Sequence, residues 1–204
     1  MTFDIRRGEI AFLRDENYNT GRRLHECFLG DRGWTSGFFR LNGRLYQPGD
    51  LGRVIGSEIG IQIERPDRPG GVLFDNMTAL DNLCTSLIPK AGQHIIRKKI
   101  VSSILSEALR WFPKEMLLQP LSSWSYPERL RFSYYRWYLL NPRLLICFFP
   151  FAGQESTHHK MIIDLLVLCT QRGMAVWIIS SGIDAICEKT DNEEFLRRLH
   201  YLNK

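Results

Sequence analysis

Asn141-Pro142-Arg143-Leu144-Leu145-Ile146-Cys147-Phe148-Phe149-Pro150 is the stretch that decides the fold. Leu144 to Phe149 is an unbroken apolar run of strand length. It lacks the alternation of a half-exposed strand, so it reads as a strand buried on both faces of a parallel sheet. Ser156 can cap a following helix whose Met161, Ile162, Leu165, Leu166 and Cys169 share one side and whose end is marked by Arg172-Gly173. Ala175-Val176-Trp177-Ile178-Ile179 is then a second buried strand. Strand, helix and strand at this spacing make a βαβ unit, which implies an α/β fold with a parallel sheet core.

The same reading extends toward the N-terminus. Glu9 to Leu13 is a short apolar run, Arg14 to Arg23 a polar loop, and Leu24 to Leu29 a helix closed by Gly30. Asn42-Gly43 between Gly37 to Leu41 and Arg44 to Tyr46 predicts a hairpin, hence a small antiparallel β part before the main sheet. Arg65 to Gly71, rich in Pro and Gly, reads as a loop. Helical spacing follows from Met77 to about Leu83 and from Ile95 to Phe112, where Pro113 stops it, and again from Pro127 to Leu140. The expected organisation is a single domain over residues 1–204 with a helical subdomain inserted at about 76–130.

Composition fits such a domain: 204 residues, 44% hydrophobic and 24% charged, are enough for one real core. The net charge of +5 comes from scattered arginines without a basic arm, so it suits an anionic membrane face or an acidic partner better than nucleic acid. Five cysteines at irregular spacing contain no CxxC pair and read as buried thiols of a reducing compartment. No apolar run approaches the ~20 residues of a membrane helix. Direct membrane insertion is therefore not expected, and contact with a membrane would go through a protein.

Two segments give the chain a family likeness. Phe3-Asp4-Ile5-Arg6-Arg7-Gly8-Glu9-Ile10 resembles the "DVRRGEI" that precedes the phosphate loop in the second ATP-binding cassette (ABC) of bacterial sugar importers, and Asn141 to Pro150 resembles their "NPRLLILDEP". Gly71 to Leu83 is similar to "GLFPNLSVAENL", which opens the helical subdomain facing the membrane subunits, and Ser180-Ser181 matches "ISSE". The likeness runs from about Phe3 to Asp191 and implies a P-loop NTPase-like fold. It places Phe3 at the family's third strand, so the upstream aromatic that stacks on adenine has no counterpart.

What departs from the pattern is the chemistry. A phosphate loop GxxxxGK[ST] wraps phosphates in backbone N–H groups, with a lysine charge and a hydroxyl for magnesium. On the family frame its two glycines become Asp15 and Thr20, the lysine Gly21, and the hydroxyl positions Arg22 and Arg23, while Asn17 matches the asparagine of "ENG". Asp15 would repel phosphate and Tyr18 is bulky. The remnant of a nucleotide site would be Asn17, Thr20, Gly21, Arg22 and Arg23. The family's magnesium-binding aspartate and water-polarising glutamate become Phe148 and Phe149, which neither bind a metal nor accept a proton. The signature "LSGGNQQK", which caps ATP held by a partner cassette, maps onto Trp124 to Arg131 and keeps only Ser125 of its first four residues. "PED" is matched loosely by Ile63-Glu64-Arg65, and "RGID" is reduced to Ala152-Gly153-Gln154-Glu155.

Other constellations are weaker. Adjacent His158 and His159 would point about 100° apart on a helix, with no further ligand to complete a metal set. The aromatic cluster of Trp124, Tyr126, Phe132, Tyr134, Tyr135, Trp137 and Tyr138 has the spacing of helix packing, with a remainder for a protein interface. The expectation is thus a protein that is not an enzyme: a pseudo-ATPase without magnesium and with no expected ATP. It would act as a structural or regulatory companion of a sugar importer, cytoplasmic and held at the membrane by an ABC permease subunit or an active ABC ATPase. The alternative is a non-hydrolysing sensor that binds a nucleotide or other anion in the remnant cleft.

Overall fold

Strand β1 (Ile10–Arg14) is the hub of the molecule, because hydrophobic residues on both of its faces are buried. The computed structural model describes residues 3–33, 37–64, 73–91, 98–152 and 155–202. On one side β1 pairs in parallel with β6 (Ala175–Ser180), on the other with β7 (Leu199–Leu202). Beyond β6 come β5 (Leu144–Phe148) and β4 (Ile59–Ile63), giving an all-parallel sheet of order β4-β5-β6-β1-β7. All of β5 and β6 is buried, as their unbroken apolar runs predict.

Alternate residues divide the core. Ile10, Phe12, Leu145, Cys147, Val176 and Ile178 face helices α5 (Tyr126–Leu140) and α6 (Ser156–Gln171). Ala11, Leu13, Ile146, Phe148, Trp177 and Ile179 face the other way, toward Phe28 of α1 (Asn19–Leu29) and toward Tyr46, Leu51 and Val54. Tyr46 ends the antiparallel hairpin of β2 (Phe39–Leu41) and β3 (Arg44–Tyr46), whose turn has Asn42 and Gly43 at φ 53° and 80°. Both angles are positive, as a type I′ turn requires.

A third apolar cluster joins α2 (Ala79–Ala91), α3 (Lys98–Ala108) and the front of α5 through Leu83, Ile104, Phe112, Trp124, Phe132 and Tyr135. Helix α5 thus serves two cores, with Leu130, Tyr134 and Trp137 turned to the sheet and Phe132 and Tyr135 turned away from it. Short helices α4 (Lys114–Leu117), α7 (Ile183–Cys187) and α8 (Glu193–Arg198) complete the described α-helices, and Pro48–Arg53 and Leu121–Ser123 are single 3-10 segments.

Several expectations change. α1 begins at Asn19, five residues before Leu24, inside the stretch read as loop. α3 ends at Ala108 rather than Phe112, because Leu109 to Phe112 form a turn before Pro113. Ser156 is the first residue of α6 and not its cap; Glu155 holds that place, its carbonyl accepting from the amides of His158 and His159. β4, α7, α8 and β7 were not anticipated. The loop read at Arg65 to Gly71, the front of the predicted helix at residues 95–97, and Gly153-Gln154 lie outside the described residues.

Candidate functional site

At the C-terminal end of β1 the chain turns into α1, and Asp15 decides the geometry. Its carboxylate is 2% exposed and accepts hydrogen bonds from the backbone N–H groups of Gly21 at 2.7 Å and Thr20 at 3.2 Å. Helix N-termini carry unpaired amides and partial positive charge, so a carboxylate there is stabilising. These bonds explain why α1 starts early: Tyr18 at the N-cap offers no side-chain acceptor, and Asp15, four residues upstream of Asn19, takes the first-turn amides instead. They also mean that the amides a phosphate loop would offer to an anion already hold one of the chain's own.

Aromatic rings fill the space beside them. Phe149 follows β5 with a left-handed backbone, φ 54°, and its amide donates to Ile179 O at 2.8 Å. Its ring lies against Gly21, where an added Cβ would come within 2.5 Å of the ring, and 4.8 Å from the ring of Tyr18. Tyr18 is also left-handed, φ 57°, and its hydroxyl is hydrogen-bonded to Ser181 Oγ at 3.2 Å. Phe148 is fully buried, with the His25 ring 5.2 Å away. Glycine at position 21 is therefore a matter of space: only a residue without a side chain lets the Phe149 ring close on the loop. In this geometry the Thr20 and Gly21 amides are held by Asp15 and the space beside Gly21 by the Phe149 ring, so a phosphate would have to displace the carboxylate.

The remnant residues are distributed unevenly. Asn17 and Thr20, with Arg14, Asp15, Glu16 and Asn19, line an open cavity of about 530 Å³ that reaches Tyr201 on β7. One wall is fixed by Arg14, paired with Asp184, whose carboxylate also accepts from the Tyr201 hydroxyl at 3.1 Å. Burial, followed by the contact with Cys187, pushes that hydroxyl up to about 12. Arg22 and Arg23 are exposed on α1 and do not line this cavity. Ser125 is the N-cap of α5, its hydroxyl donating to Glu128 at 2.6 Å within a capping box. α5 packs on the sheet face opposite α1, and Ser125 does not line the cavity of Asn17 and Thr20. His159 contacts the Phe151 carbonyl at 3.3 Å and His158 packs on Tyr126, so the histidine pair is used in packing.

Sequence reasoning missed a buried polar network at the end of β4. Gln62 accepts from the Trp137 indole at 2.7 Å and donates to Glu64 at 2.7 Å and to Ser133 at 3.2 Å, tying the edge strand to α5. Glu64 and Gln62 are 4% and 0% exposed. Burial, and next the Glu64 charge, drive the Tyr134 hydroxyl well above its ordinary range. Burial alone lowers Arg136 to about 10 and is the main cause lifting the Cys169 thiol to about 12. The signal available in sequence was Gln62 and Glu64 beside isoleucines, polar residues that a buried strand tolerates only in pairs. A second network was equally silent: the side chain of buried Asn82 accepts from the Phe74 amide and donates to the Phe74, Met77 and Thr78 carbonyls, fixing the entry to α2.

Parallel strands with helices on both faces, a hairpin and a separate helical cluster define an ATP-binding cassette fold. Solved cassettes superpose on nearly the whole chain: cbiO1 from Clostridium perfringens, part of the ABC transporter complex cbiONQ, has a TM-score of 0.72 at 19% identity, covering 98% of this chain and 76% of that one. MJ0796, in a post-hydrolysis state bound to ADP and Pi, gives 0.68 at 18% identity, covering 98% and 84%. Homologues by sequence are ATP-binding subunits of sugar importers. A putative ribose/galactose/methyl galactoside import ATP-binding protein of Pseudomonas syringae pv. tomato is 24% identical over 94% of this chain. The galactofuranose transporter ATP-binding protein YtfR of Escherichia coli K12 is 23% identical over 97%. The chain spans 37% and 38% of those two proteins' lengths. No protein-family model matches it.

These likenesses correct one expectation. The sequence suggested a protein that is not an enzyme, yet its relatives are import ATP-binding proteins and a neighbour of the same fold was captured after hydrolysis. That expectation is withdrawn.

Proposed function

We propose that this chain is a cassette component of a sugar ABC importer, serving as a structural or regulatory companion that works by docking. The observation that supports this most is the span of the sequence likeness: 94% of the chain, sheet and helical part together, follows the import ATP-binding protein. The proposed docking element is the helical subdomain at about 76–130, which has its own apolar cluster and whose entry is fixed by Asn82. The partner is a permease subunit or another cassette, and the place is the cytoplasmic face of the cell membrane. Among the described residues no helix is long and apolar enough to cross a membrane, so attachment runs through that partner.

In this reading an incoming anion must displace the Asp15 carboxylate from the Thr20 and Gly21 amides. The site residues proposed are accordingly Asn17, Thr20 and Gly21, with Arg22 and Arg23 in reserve on the exposed face of α1. Phe148 and Phe149 carry neither a metal ligand nor a proton acceptor, so any turnover must draw those groups from other positions or from a partner cassette. The test is affinity purification of the tagged chain from solubilised membranes of its native host. Recovery of a permease or a second cassette, lost when the surface of α2 and α3 is altered, is the expected result. Recovery of neither overturns the proposal.

A further inference from the structure

The end of the sheet opposite the Asp15 cleft holds a second, larger cavity of about 780 Å³. It lies where the chain enters β1, β5 and β6, and four arginines line it: Arg6 and Arg7 before β1, Arg143 before β5, and Arg172 before β6. The acidic residue in its lining is Glu58, so among the described lining residues the formal charge is +3. The whole chain carries +5, so this mouth concentrates much of what looked like scattered basicity in the sequence.

Three of these side chains are held in place. Arg7 Nε donates to the Gly173 carbonyl at 3.3 Å, and Gly173, at φ +82°, has no Cβ to obstruct the guanidinium, which would lie 2.9 Å from one. Arg172 donates to the Tyr138 carbonyl at 3.0 Å and stacks over the Tyr138 ring at 4.6 Å. Arg143 pairs with Glu58 at 3.2 Å. A guanidinium has five N–H donors, and each anchoring contact uses one, leaving planar forks for a ligand.

α5 and α6 end here, and cations near helix C-termini are stabilising. That accounts for Arg172 and in part for Arg143. It does not account for Arg6 and Arg7, which precede a strand. Nor is it sufficient in size: two helix ends supply about half a negative charge each, so of the formal +3 about +2 remains uncompensated.

We propose that this cavity is a binding site for a small phosphorylated molecule carrying two or more negative charges, recognised by Arg6, Arg7, Arg143 and Arg172. Guanidinium forks match phosphoryl oxygens two at a time, and the volume falls in the ordinary range for small-ligand sites, about 300–1,000 Å³. Its location makes it separate from the Asp15 cleft, and it does not depend on the importer reading.

The probe is inorganic pyrophosphate, titrated calorimetrically into the purified full chain at fixed ionic strength, with inorganic phosphate and chloride in parallel. The expected result is saturable binding of pyrophosphate, weaker binding of phosphate and none of chloride. The double variant Arg6→Gln/Arg172→Gln should abolish it, while Lys160→Gln, an exposed cation outside the cavity, should leave it unchanged. If the double variant fails to fold, Arg6→Gln alone must weaken binding about tenfold, since Arg6 is exposed. Absence of saturable binding, an affinity indifferent to Arg6→Gln, or binding lost in Lys160→Gln but kept in the arginine variants overturns the proposal.

Discussion

The two ends of the sheet are built in opposite ways. At the C-terminal end, backbone donors are met by the chain's own Asp15 carboxylate, and the adjacent space is closed by the Phe149 ring. At the N-terminal end, four arginines line an open cavity with Glu58 among them. One end has its donors met by its own anion, while the other pairs Arg143 with Glu58 and keeps a formal charge of +3 among its described lining residues. The difference shows that a parallel α/β sheet fixes where its two mouths lie, while a few residues decide which of them is ready for a ligand.

The comparison breaks most severely at Gly21. Gly21→Val places branched carbon where even a Cβ lies 2.5 Å from the Phe149 ring, and should cost about 2–3 kcal/mol in denaturant unfolding. Adding Phe149→Ala should recover part of that loss; a purely additive pair would show that the ring does not close the loop. Asp15→Ala comes next. It strands two amides at a buried helix start and should destabilise by about 2 kcal/mol, with Asp15→Asn milder because its carbonyl oxygen still accepts.

Alkaline pH tests the core shared by both ends. The Cys169 thiol has its folded value raised, from 9.0 to about 12. The unfolded thiol therefore ionises first, so the contribution is fully present below pH 9 and is lost as pH rises through about 12. By pH 10 the loss from this thiol should be about 1.4 kcal/mol, and Cys169→Ala should flatten the slope between pH 9 and 11. At the other end, Gly173→Ala should cost about 1–2 kcal/mol through its left-handed backbone and push Arg7 aside. The smallest effect is expected for Arg22→Gln/Arg23→Gln, exposed on α1: within about 0.5 kcal/mol in unfolding.

Legibility in the sequence followed burial. β5 and β6 were readable because both faces are covered and every residue but Ser180 at the end of β6 is apolar. β4 was not, since Gly60 and Gln62 interrupt it for reasons only packing reveals: an added Cβ on Gly60 would lie 2.8 Å from Trp137, and Gln62 bonds the same indole. β7 escaped because it is a short, partly exposed edge strand. The family frame located Asp15 and Phe149 but not their roles. Asp15, expected only to repel phosphate, caps the helix in its place, a relation that needs the turn through left-handed Tyr18. The arginines of the opposite mouth are separated by up to 166 positions, and no local pattern unites Arg6 with Arg172.

The most direct test of the account is to follow the backbone amide resonances of Thr20 and Gly21 while Mg-ATP is added to the wild type and to Asp15→Asn. If Asp15 holds these amides, removing its charge should lower the nucleotide concentration that shifts them by about tenfold, corresponding to about 1.4 kcal/mol. The same midpoint in both proteins would contradict the account, showing that the carboxylate does not compete for the loop.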